Sequence, residues 1–277
     1  MRLISRCLLL GLFVSSTFNC SKPEELQCIK QAFSIITHGH VHEQVVEAGV
    51  EKAGLKDKIK GLYLGAMIIG VQWPDIPCEK EYNIFTKIQT CAATAAAEIL
   101  GKKGVGFETH YGEKQIWHSM SPGKKYTNQE VLELIMAFLK GWYENALLKI
   151  KSEKNEDKKL AYFEMGRFLH TIHDSFSIAH TIRDKEGKLL MFQNYNAQDG
   201  DKHAVLERVD PKGCGSWQEI PGNVEAVHHT AEILKLFEQR KSFADVEKYM
   251  RKNVFNFAEG KGKVQSGEVP EFLRKKE

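Results

Sequence analysis

The run TNQEVLELIMAFLKGWYENALLKIK, residues 127–151, constrains the fold more than any other part of the chain. Thr127 and Glu130 stand in capping-box register at its start. Apolar residues then recur at three- and four-residue steps as far as Ile150, which is helical periodicity. The same pattern marks residues 41–55, 160–180, 226–240 and 242–257, the last opening on Ser242 and Asp245. No alternating pattern is long enough to build a sheet. Gly and Pro collect around residues 73–78, 101–106 and 199–214, which read as long loops. The charged KSEKNEDKK at 151–159 reads as a surface link within a domain. With no internal repeat, the expectation is a single all-α domain over residues 21–277.

Residues 1–20, MRLISRCLLLGLFVSSTFNC, have the layout of a secretory signal peptide: two arginines, an apolar run from Cys7 to Val14, then small and polar residues. That run is too short to span a bilayer. Cys20 sits where a lipoprotein cysteine would, but Thr17, Phe18 and Asn19 match the usual Leu-small-small pattern poorly, so lipid anchoring is the weaker expectation. Export to the periplasm or beyond suits the cysteines as well. Beyond Cys7 and Cys20, the chain holds Cys28, Cys78, Cys91 and Cys214, enough for two disulfides, with Cys78 and Cys91 paired on proximity. No CxxC or CxxCH occurs, so zinc-ribbon and c-type haem readings fail. A formal net charge of +3 is too small to argue for nucleic acid or an anionic membrane.

Nine of the eleven histidines fall in four short clusters, and this grouping suggests metal. In GRFLHTIHDSFSIAH, His170 and Asp174 are four apart and share a helix face, from which they can chelate one ion. His180 lies six residues further, about 120° around an ideal helix, and joins them only if the helix ends or bends near Ser177. His173 points elsewhere and reads as a surface or supporting histidine. HxxxD alone is more often a solvated helix face than a site. His203 and Glu207 repeat the four-residue spacing, while His110 and His118 lie beside aromatics in a loop-like setting. His38, His40 and His42 open a helix; His42–Glu43 begins an HExxH motif, but Val46 stands at its second histidine, so metzincin chemistry is rejected. Asp75 lies between prolines on a rigid turn. His228 and Glu232 also form an HxxxE pair, but their helix reads as core packing.

Taken in order, His42, Asp75, His110, the HxxxDxxxxxH run from His170 to His180, and the HxxxE pair of His203 and Glu207 resemble the zinc-dependent phospholipase C and single-strand nuclease superfamily. Gly166 four residues before His170, and Tyr111 after His110, fit the same pattern. The resemblance covers roughly residues 37–210 and implies an all-α fold holding two to three zinc ions in one cleft. On that likeness Asp75, His110, His170 and Asp174 hold the first ion, with Asp174 bridging to another. His180, His203 and Glu207 hold the second, and His42 with Asp174 the third. Two features depart from the family. No Trp lies near the N-terminus to complete the third ion, the first being Trp73, so either His38 or His40 substitutes or that ion is weak or absent. SFSIA also replaces the Gln-Pro that commonly precedes the last motif histidine, which marks a divergent branch.

Such a site implies phosphoester hydrolysis by a metal-activated water, with Asp75 as general base or water-orienting group. No G-x-S-x-G elbow competes with that reading. The expected activity is a phospholipase C acting on phospholipid head groups, by a monomer touching membranes peripherally and forming no stable nucleic-acid complex. The alternatives are a single-strand nuclease or nucleotidase, for which Tyr111, Trp117 and Phe176 could clamp a base, and a non-catalytic metal- or lipid-binding protein.

Overall fold

The computed structural model describes residues 41–75, 109–206, 218 and 220–275. Seven α-helices lie among them: α1 (Val41–Lys52), α2 (Leu62–Gln72), α3 (Asn128–Ile150), α4 (Asn155–Asp174), α5 (Gly200–Leu206), α6 (Asn223–Glu238) and α7 (Phe243–Asn253). The described fold is thus mostly helical, as the periodicity implied. The signal-like residues 1–20, His38, His40, Glu207 and every cysteine lie outside the described residues. No helix among the described residues is long and apolar enough to cross a membrane.

Both sequence-predicted capping boxes form. Thr127 N–H donates to the Glu130 carboxylate at 2.7 Å, and Ser242 and Asp245 make the equivalent exchange at the start of α7. Part of the charged link is helix instead: α4 begins at Asn155, with Glu156 and Asp157 in the first turn, where carboxylates favour the positive end of the helix dipole.

Helix α4 runs through the middle, and every residue from Glu164 to Asp174 is buried. Helices α2, α3 and α6 pack around it. Helix α2 (LYLGAMIIGVQ) carries no charge and buries Ala66, Met67, Gly70 and Val71. Its approach to α4 is unusually close, because Gly70 and Gly166 meet backbone to backbone. A Cβ on Gly166 would sit 2.2 Å from the Met67 carbonyl oxygen, and one on Gly70 2.1 Å from that of Phe163. Helix α1 packs on α6 with Gly49 facing the Thr230 side chain.

Two short elements depart from the sequence reading. After α4, β1 (Thr181–Arg183) and β2 (Leu189–Phe192) form an antiparallel hairpin, pairing Thr181 with Phe192 and Ile182 with Met191. Its turn is held by the Asp184 carboxylate, which accepts from Glu186 and Lys188 N–H, and by Gly187 at φ 78°. Strands of three and four residues are too brief to display alternation. Within the expected loop at 199–214, α5 forms from residue 200 to 206.

Candidate metal centre

Asp174, the last residue of α4, is the hub. Its Oδ2 lies 2.9 Å from His170 Nε2, 3.0 Å from His118 Nδ1 and 3.3 Å from His180 Nδ1; its Oδ1 lies 3.2 Å from His42 Nε2. Asp75, in the turn after α2, brings Oδ1 to 3.6 Å from His118 Nδ1 and 3.7 Å from His170 Nε2. His180 Nε2 and His203 Nε2 face each other at 3.3 Å. Three sets of donor atoms, each within 4.8 Å of one another, result: His42, His170 and Asp174; Asp75, His110 and His118; His110, His180 and His203. Metal–nitrogen bonds of about 2.0–2.1 Å at tetrahedral angles put donors roughly 3.3 Å apart, so these spacings are compatible with metal binding.

The polar groups behind the rings strengthen that fit. His170 Nδ1 donates to the Val71 carbonyl at 2.7 Å, and His180 Nδ1 to the His118 carbonyl at 2.7 Å. His203 Nδ1 donates to Gln198 Oε1, whose amide is oriented by donating Nε2–H to the Ala179 carbonyl at 2.6 Å. Carbonyl oxygens can only accept, so each of these rings turns its other nitrogen, Nε2, toward the donor cluster. Metal-ligating histidines are held in this way. His118 reverses the pattern: Nε2 lies 3.1 Å from Thr109 Oγ1, and Nδ1 faces inward.

Local folding explains these positions. Helix α4 stops at Asp174, and two tight turns follow, in which Ser177 N–H reaches the Asp174 carbonyl and His180 N–H the Ser177 carbonyl. That ending brings His180 back beside Asp174, the geometry its six-residue spacing required. Arg183 fastens the bend, donating to the Ser175 carbonyl at 2.8 Å and to that of Val254 at 2.9 Å. The 3₁₀ helix Gly112–His118 delivers His118, and Ser119 follows with left-handed φ of 49°. The Ser119 hydroxyl donates to the Thr171 carbonyl, and Thr171 Oγ1 to that of Trp117, both at 2.7 Å, tying this turn to α4.

Charge is concentrated here. Burial alone would raise the Asp174 pKa, but His170, His180 and His42 overcome it and hold the group well below the usual carboxylate range. Burial also opposes a charge on His170, yet the Asp174 and Asp75 carboxylates raise it to about 9. His118 is lowered, chiefly by burial. Two carboxylates among several imidazoles thus give a charged donor set compatible with a bound cation.

The structure refines the placement of two histidine groups. His118, which had no ligand assignment, lies against Asp75, His170 and Asp174, and His110 stands with it in the donor set of Asp75. His110 stacks on His118 with ring centroids 3.9 Å apart and reaches across to His180 and His203. The two histidines share one short segment, and the 3₁₀ helix 112–118 brings both to the cluster. Of the two readings of His173, the supporting one fits: it is buried, with Nδ1 3.2 Å from His42 Nδ1. His42, Asp75, His170, Asp174, His180 and His203 all come together, while Glu207 lies outside the described residues. Thr109, Gln198 and the Val71 carbonyl carried no sequence signal. His228 is exposed and His229 hydrogen-bonds Tyr249 at 2.7 Å, away from the centre. Of the aromatic candidates, Phe176 is buried against His229, Trp117 stacks on Phe138, and Tyr111 stands 46% exposed against Tyr195.

Set against known proteins, the chain matches no family model, no curated protein and no solved structure.

Proposed function

We propose that the chain is an exported zinc-dependent phosphoester hydrolase of phospholipase C type, acting on phospholipid head groups. The observation that carries this reading is the sharing of Asp174 among His42, His118, His170 and His180, with ring after ring braced from behind. Nitrogen and carboxylate donors suit zinc. Asp75, His118, His170 and Asp174 would hold one ion, His180 and His203 with His110 a second, and His42 with Asp174 a third. Zinc at such a site supplies Lewis acidity toward a phosphoryl oxygen and lowers the pKa of water toward about 7.

The chain's own groups do the remaining work. Asp174 and Asp75 fix the charge balance of the site. The Asp75 side chain keeps 17% of its surface exposed and His42 14%, against 2% for Asp174, so these two are more accessible to solvent than Asp174. Asp75 is thus placed to orient an attacking water and accept its proton. Export rests on the arginine–apolar–small order of residues 1–20.

A single-strand nuclease or nucleotidase is the second reading. Tyr111 favours it: the ring is exposed and rests on Tyr195, which itself lies 5.0 Å from His110 and 4.8 Å from His203, so a base could stack beside the donors. Hydrolysis of a chromogenic phosphocholine ester, run beside single-stranded DNA, separates the two. The phospholipase reading expects chelator-sensitive ester turnover restored by zinc. Zinc-loaded protein that cleaves only DNA selects the second reading, and protein inert on both refutes each of them.

A further inference from the structure

His42 is braced differently from the other rings. Behind it lies a second imidazole, with Nδ1 to Nδ1 at 3.2 Å and the rings inclined by only 17°. Two ring nitrogens can share a hydrogen bond only if one carries the proton and the other does not. His173 Nε2 in turn meets Thr230 Oγ1 at 2.8 Å. Unlike the carbonyls behind His170 and His180, a threonine hydroxyl can donate or accept. The chain of three groups therefore has two self-consistent directions.

In one, Thr230 accepts from His173 Nε2–H, His173 Nδ1 accepts from His42 Nδ1–H, and His42 Nε2 presents a lone pair. In the other, the Thr230 hydroxyl donates to His173 Nε2, His173 Nδ1–H donates to His42, and His42 Nε2–H donates to Asp174 Oδ1 at 3.2 Å. The first arrangement can ligate a cation. The second satisfies Asp174 without one. Gly49 makes the relay possible, since a Cβ there would fall 2.4 Å from Thr230 Cγ2 and push α6 away.

We infer that His173 and Thr230 are positioning residues which set the tautomer of His42 and so tune how tightly the ion beside His42 is held. The inference rests on the zinc reading above. His170, His180 and His203 are instead held by oxygen atoms that only accept, which fixes Nδ1 as a donor in each.

The test is a zinc titration against a chromogenic chelator, with ¹⁵N NMR of the imidazoles as a readout independent of activity. Thr230→Val and His173→Phe should weaken one ion by about 10–100-fold and leave the others unchanged. Thr230→Ser, which keeps the hydroxyl, should restore it. The His42 signals should change from the Nε2–H to the Nδ1–H pattern as the ion beside His42 binds. Unchanged affinity in Thr230→Val, or uniform weakening of all ions with Thr230→Ser no better, overturns the relay while leaving the zinc reading standing. Wild-type protein that takes up no zinc overturns both.

Discussion

Replacing Gly166 with Ala tests how the fold builds the site. The new Cβ would lie 2.2 Å from the Met67 carbonyl oxygen, 2.7 Å from Val71 N and 2.8 Å from Gly70 Cα. These distances are about 1 Å inside ordinary contact. All three atoms are backbone, so no side-chain rotation relieves the clash and α2 must move. Overpacking of this kind costs about 1–3 kcal/mol, and backbone obstruction places it at the upper end. Alanine recovers about 0.5–1 kcal/mol of helix propensity, leaving a net loss of roughly 2 kcal/mol. A shift of about 1 Å would also stretch the 2.7 Å bond from His170 Nδ1 to the Val71 carbonyl beyond hydrogen-bond range. Zinc affinity should then fall together with stability. Gly141→Ala is the control: this exposed glycine in α3 has nothing within 4 Å of its virtual Cβ, so the change should stabilise by about 0.5–1 kcal/mol. Urea unfolding of the metal-free proteins, followed by zinc titration, measures both effects. Gly166→Ala behaving like Gly141→Ala, with zinc affinity unchanged, would refute the role given to the glycine crossing.

Asp174→Asn removes the carboxylate that four histidines share; hydrolysis should be lost, and zinc affinity should drop by more than the ~10–100-fold typical of an outer partner. His118→Ala should lower zinc content by mass spectrometry as His170→Ala does, whereas His228→Ala, at an exposed position, should leave it unchanged. His229 is pushed down to about 4 by burial, His228 and Arg183. A histidine depressed on folding contributes stability that is present above its unfolded pKa of about 6.5 and lost as pH falls through 4. Between pH 7 and 4, metal-free wild type should therefore lose more of its urea midpoint than His229→Gln, which keeps an acceptor for Tyr249; parallel losses would show that His229 contributes nothing.

Local signals made the helices legible. The capping pairs at Thr127 and Ser242 and the three- and four-residue apolar steps are interactions between near neighbours, visible without the fold. The central motif was legible for the same reason, because His170 and Asp174 share a face by helix geometry alone. What escaped was decided by distant contacts. The Val71 carbonyl that holds His170 lies 99 residues away in sequence, and no side chain announces a carbonyl. That His118 joins His110 at the cluster depended on one 3₁₀ turn. His173 appeared to point away because its partners, His42 and Thr230, come from α1 and α6. The β1–β2 hairpin and α5 are shorter than the window over which a period can be recognised.

The most direct measurement is the zinc content of the purified, zinc-equilibrated protein by mass spectrometry, set beside that of Asp174→Asn. Two to three ions per wild-type chain are expected, falling below two in the variant. Fewer than two ions in the wild type, or the same number in both proteins, would contradict a metal centre built around Asp174.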